Sequence, residues 1–164
     1  MSDAPGISFE DLLDYHQEQT EQWREYFLKH PYLLKVDASA TSTIADLLFH
    51  TFAAEYRVAQ RLLGEIMFED ADFTRGNVSD LFSIADLAQI KFREYLARAT
   101  QEEVSEVKKF PSPTLGEFHA TPRKLLTHAI VHSIRHWAQV ARALREHGQR
   151  PDFSPDVLFS KRLR

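Results

Sequence analysis

No cysteine occurs in the 164 residues, which excludes disulfides, thiolate zinc sites and cysteine nucleophiles. Glycine is scarce too, at 5 residues. No Gly-x-Gly-x-x-Gly or Gly-Lys-Ser/Thr loop is present, which argues against dinucleotide and P-loop phosphate binding. A His-Glu-x-x-His run is missing, so there is no zincin base. No histidine stands three residues after a glutamate, so the paired Glu-x-x-His pattern of di-iron carboxylate bundles is absent as well. Nor is there a surplus of positive charge: 20 Lys and Arg face 24 Asp and Glu, for a net charge of −4. That balance gives no electrostatic case for direct nucleic-acid contact or for a membrane surface. No apolar run approaches the length that spans a bilayer. The start, MSDAPGISFEDLL, has neither the basic flank nor the apolar centre of a signal peptide. A cytoplasmic location is expected.

What is present suits a helical protein. The chain is 43% apolar and 27% charged, with 12 Phe, and it is long enough to bury a core as one domain over 1–164. Residues 1–7 and 150–164 are expected to be flexible or peripheral tails, with Phe153, Val157 and Leu158 available to dock back.

Four helices follow from the patterning. The first begins after Ser8, whose cap pairs with Asp11 in a weaker form of the Ser-x-x-Glu box. Phe9, Leu12, Leu13, His16, Thr20, Trp23, Phe27 and Leu28 make its stripe. His30-Pro31 ends it. The second starts with a cap among Thr41–Thr43 and stops at Gly64; apolar on two sides, it should be central. The third is expected from a Ser79 or Ser83 cap to about Thr100. The fourth has Thr121 as cap, Pro122 at its first position and Gly148 as its stop. Residues 65–78 and 101–120 read as long connections, the second either a short hairpin or extended chain. The fold class is all-α, a four-helix bundle with long crossovers.

The fourth helix carries His128, His132 and His136 at four-residue steps. Side chains at that spacing share one face, with Cβ atoms about 5–6 Å apart. Two imidazoles there can meet one ion at about 2.0–2.1 Å each. All three cannot, because His128 and His136 are separated by roughly 12 Å of helix. One ion takes an adjacent pair and needs a third ligand from another helix. His50 is the strongest choice, lying mid-helix on a face shared with Leu47 and Ala54. His16 is also mid-helix but sits among Glu10, Gln17 and Gln19, while His30 and His147 are at helix ends and His119 is in a loop. Three imidazoles leave positions for water or substrate, the open coordination of a catalytic metal. Ser133 follows His132 directly, but adjacent helical residues diverge, so the two are no nucleophile–base pair.

The segment LLTHAIVHSIRHWAQVARALREHG resembles the last helix of the DinB-like (DinB/YfiT) family. That family's motif runs roughly His-x-x-x-Asn-His-x-x-x-His-Arg-Gly-Gln ahead of a Leu-Arg-x-x-Gly ending. LLFHTFAAEYRVAQRLLG is similar to the family's second helix. The likeness covers most of the chain in layout and helices two and four in residues. It implies the up-down-down-up bundle and assigns the three metal ligands to His50, His132 and His136. Gln139 matches the motif's glutamine, and His128 and Gln139 are the expected supporting groups around the ligands, with Asp46 and Glu55 weaker ones. Trp137 and Ala138 replace the family's Arg-Gly, and Val131 replaces its Asn, so no specific activity carries over.

The resemblance implies a divalent metal (nickel, zinc or iron) and a small-molecule substrate. The implied chemistry is a thiol-dependent transfer or a hydrolysis, with a metal-bound thiolate or hydroxide as nucleophile and a low-molecular-weight thiol as partner. The alternative is a non-catalytic interaction or sensor module. A homodimer is expected in either case, since many such bundles pair through an apolar helix face.

Overall fold

The structure is a computed structural model that describes residues 7–112 and 116–163. Pro5 and Gly6 of the expected N-terminal tail, Pro113 of the second connection and Arg164 lie outside the described residues.

The protein is mostly helical. Four long helices, α1 (Phe9–Lys29), α2 (Ile44–Leu63), α3 (Val78–Arg98) and α5 (Pro122–Glu146), are joined by short elements. These are the antiparallel pair β1 (Asp37–Ser39) and β2 (Ser42–Thr43), the single-turn helix α4 (Gln101–Ser105), and the hairpin of β3 (Lys108–Ser112) and β4 (Gly116–Ala120). The hairpin pairs Lys108 with Ala120 and Phe110 with Phe118.

Side chains at the helix starts explain where most of them begin. Ser8 and Thr43 accept from the backbone N–H of Asp11 and Asp46, and both carboxylates answer to the cap's own N–H. Each such cap is worth about 1 kcal/mol. Thr121 caps α5 with Pro122 behind it. The third helix differs from expectation: Asn77, not Ser79 or Ser83, is the cap, accepting from the N–H of Asp80. Ser79 lies inside the helix, and the Ser83 hydroxyl donates to the Asp80 carbonyl. Thr100 is the cap of α4 rather than the end of α3. Gly64 closes α2 with φ +70°, a left-handed conformation that strains any residue with a Cβ.

The core has two parts. The larger is aromatic, with Trp23, Phe27, Phe52, Phe82 and Trp137 buried among Leu48, Leu81 and Leu144. The second joins Leu13, Val58, Phe92, Leu125 and Leu126 to Phe110 of the hairpin. Burying Phe110 ties the hairpin to the helices, and that sets β4 beside the α2–α5 seam.

Helix α2 packs on both α3 and α5, and α1 packs on the same two. Residue pairings give the relative direction. On α1 and α3, Arg24 meets Asp86 while Asp14 meets Arg93, so numbers rise on one as they fall on the other. On α2 and α5, Phe52 meets Trp137 and Glu55 meets Ser133, again in opposed order. Between α2 and α3, Phe52 meets Phe82 and Glu65, just past the end of α2, meets Lys91, so the order is the same.

In the tail, the Phe153 ring stands edge-on to Trp23 at 4.9 Å. Val157 and Leu158 do not dock and are exposed. Beyond them, the Glu18 carboxylate accepts from the Ser160 hydroxyl and from the backbone N–H groups of Lys161 and Arg162.

Candidate metal centre

The antiparallel contact between α2 and α5 places His50 opposite His132 and His136. Phe52 against Trp137 and Glu55 against Ser133 fix the register on the buried side. The histidines stand on the neighbouring, more open strip of the seam. One nitrogen from each of His50, His132 and His136 lies within 4.8 Å of the other two. Ring centroids are 5.2 Å apart for His50 and His132, 5.1 Å for His50 and His136, and 4.3 Å for His132 and His136. The two Nε2 atoms of His132 and His136 are 3.0 Å apart, about the separation of two ligands bound at 2.0–2.1 Å to one ion near a right angle.

Protonation favours this role. Burial first, then His136, His50 and His128, push His132 down to about 4. His50 presents an exposed edge, yet protein crowded around it, and then His136 and Arg57, hold it below its ordinary value. Both are neutral at pH 7, with a lone pair free for a metal. The Oε1 of Gln139 lies 2.7 Å from the Nδ1 of His136. A carbonyl oxygen only accepts, so Nδ1 carries the proton and Nε2 is left bare. The Nδ1 of His132 is buried without a hydrogen-bond partner. The donor set fits a transition metal such as zinc, nickel or iron, which favours imidazole nitrogen, and not magnesium or calcium, which favour oxygen.

The other residues singled out in the sequence fall elsewhere. His128 lies beyond His132, ring centroids 5.5 Å apart and planes tilted by 39°, on the wall of a neighbouring cavity. Asp46 accepts from the backbone N–H of the cap Thr43 and pairs with Arg75 at 3.3 Å, so it does not support the histidines. Glu55 is buried and its Oε1 takes the His16 ring at 3.0 Å together with the Ser133 hydroxyl. It therefore braces α1, α2 and α5 rather than orienting a ligand. His30 packs against Tyr26 and Tyr32, and the His147 ring meets the Ala143 carbonyl.

His50 also forms one end of a cavity of about 630 Å³ between α2, α5 and β4. Its walls include Arg57, Arg61, Phe118 and Lys124, none of which stood out in the sequence, and His119, which was expected in a loop and stands in β4. The signal was there: Ala54, Arg57, Val58 and Arg61 follow His50 at steps of four, seven, eight and eleven, one helical stripe. Lys124 and His128 precede His132 on the same stripe of α5. Only the hairpin's contribution needed the fold.

The DinB family model matches residues 5–160 of the chain. No curated protein matches it.

Proposed function

The chain belongs to the DinB family, and on that premise we propose that it binds one divalent transition-metal ion through His50, His132 and His136. The ion serves a thiol-dependent transfer or a hydrolysis on a small molecule. One observation carries the reading: three imidazole nitrogens converge within 4.8 Å where His50 also walls a cavity of small-molecule size. A bound divalent ion supplies Lewis acidity, which makes a thiol or a water molecule nucleophilic near neutral pH.

The protein's own groups do the rest. Gln139 holds the His136 ring with its Nε2 turned inward. Burial keeps His132 neutral, so it offers a lone pair without first losing a proton. Ala54, Val58 and Leu125 give the cavity apolar walls. The reading includes the up-down-down-up order of four helices in one domain. Its support is the opposed pairings of α1 with α3 and α2 with α5, and the matched direction of α2 with α3.

Metal content by plasma mass spectrometry on untagged protein tests the proposal. Wild type should carry close to one equivalent of a divalent metal, and His50→Ala and His136→Ala should lose it. A wild type still metal-free after incubation with nickel and zinc, or variants that bind equally well, would overturn it.

A further inference from the structure

The cavity beside the three histidines has an uneven charge. Arg57, Arg61 and Lys124 are among its lining residues, and among the described residues no Asp or Glu is, although acidic residues outnumber basic ones in the chain as a whole. Arg57 is already occupied, since it pairs with Asp70 and lies over the Phe68 ring. The other two are not. Among the described residues, neither Arg61 nor Lys124 has a carboxylate partner. Arg61 spends its Nε on the Pro111 carbonyl, at 2.9 Å, which brings no negative charge. Burial, and then Arg57, make its charged form harder to hold. A half-buried guanidinium without a counter-ion is a costly arrangement unless something else supplies the charge.

Lys124 adds to the same field. It stands in the first turn of α5, where the helix dipole is positive, and that turn has no acidic residue. Both cations are on the helices that carry the histidines. Lys124 precedes His132 by about 12 Å of helix, and Arg61 follows His50 by about 16 Å. In the antiparallel pair these offsets run the same way, toward the hairpin end of the cavity.

We propose that Arg61 and Lys124 form an anion subsite, which holds the carboxylate or phosphate of an elongated small molecule whose other end lies at His50, His132 and His136. The inference rests on the proposed metal centre only for what meets that other end. A guanidinium and an ammonium converging on one acidic group form charge-assisted hydrogen bonds, stronger than neutral ones. An acidic tail is then favoured over a neutral tail of equal length.

The test uses three thiols of one chain length, mercaptohexanoate, mercaptohexanol and mercaptohexyl phosphate. Each is titrated into metal-free and cobalt-loaded protein at low salt and followed by ligand-observed NMR. In metal-free wild type, at least one acidic thiol should bind about ten-fold tighter than the alcohol. The better of the two identifies carboxylate or phosphate as the natural group. Lys124→Gln, at an exposed position, should shrink that preference, and Arg61→Gln with Lys124→Gln should erase it. Arg61→Lys should retain it, which separates the charge from the bond to Pro111. Equal binding of all three thiols, or a preference that survives the double variant, overturns the subsite. The cobalt arm reads the other end separately. No thiolate-to-cobalt absorption band beside an intact acid preference overturns the metal reading alone. A band without acid preference overturns the subsite alone.

Discussion

Trp137 lies flat against Trp23, with ring centroids 5.3 Å apart and planes 6° from parallel. Trp137 directly follows His136, so this stack between α5 and α1 sets the rotation of α5 and aims its histidines at α2. The family's arginine at this position has no room here. The site of the departure is core, not cavity.

Trp137→Ala should therefore cost about 3–5 kcal/mol of stability, the range for a large aromatic removed from a core. Trp137→Arg should do no better, because position 137 is only 4% exposed and a guanidinium there would be buried against the Trp23 and Phe52 rings. Urea unfolding monitored by circular dichroism measures both. An arginine variant as stable as wild type would contradict the packing argument.

Gln139→Leu removes the acceptor that fixes the His136 tautomer while leaving the core untouched. Metal affinity should fall about 10–100-fold, the usual effect of losing a group that orients a ligand. Competition against a chromophoric chelator reads it out. His128→Ala, which leaves the three converging rings in place, should bind as wild type does.

The metal-free protein should lose stability in acid partly through His132. Its folded value of about 4 lies below the unfolded value of about 6.5. The unfolded chain thus takes up a proton between those limits that the folded chain refuses. Stability is fully present above about pH 6.5 and declines as pH falls toward 4. Denaturation midpoints at several pH values should show that slope, and His132→Ala should flatten it. Protons compete with the metal in the same direction, so loaded protein should release its ion on acidification.

Glu18 gives a second pH dependence, at the contact between α1 and the C-terminal tail. Burial works to raise its pKa, but hydrogen bonds from Ser160, Lys161 and Arg162 and the charge of Arg162 outweigh it and hold the carboxyl below its usual range. Attachment of the tail is thus favoured above about pH 4.5 and lost as pH falls through the lowered value. Amide hydrogen exchange at Lys161 and Arg162 should accelerate there. Glu18→Ala should give the fast rates at every pH.

His16→Leu leaves the buried Glu55 carboxyl without its imidazole partner, beside an Oε2 that already has none. Removing one partner of a buried hydrogen-bonded pair typically costs about 1–3 kcal/mol. His16→Leu combined with Glu55→Leu should recover part of that loss, which a double-mutant cycle would quantify.

What the sequence revealed depended on how local the signal was. Ser8, Thr121 with Pro122, Gly64 and Gly148 mark helix ends through bonds spanning a few residues, and those ends are where the periodicity placed them. Asn77 was missed because serines just inside α3 offer equally good oxygens, and only the backbone angle decides among them. The spacing of His132 and His136 announces a pair, and His50 had to be chosen by elimination. The partners of Glu55 were out of reach: His16 and Ser133 lie 39 and 78 residues away, and no period links such distances. Arg61 and Lys124 share the histidine stripes of α2 and α5, but nothing local marks them as lining a cavity that β4 helps to close.

The bond between Glu18 and Ser160 spans 142 positions. Synthesis at about 5–20 residues per second separates the two by roughly 7–28 s. For that interval the newborn first helix has an unanswered carboxylate, and its Trp23 lacks the Phe153 edge. Helix α5, with two of the three imidazoles, also emerges late. The three-histidine cluster is therefore complete only once most of the chain has been made. Any ion that needs all three imidazoles must wait for α5.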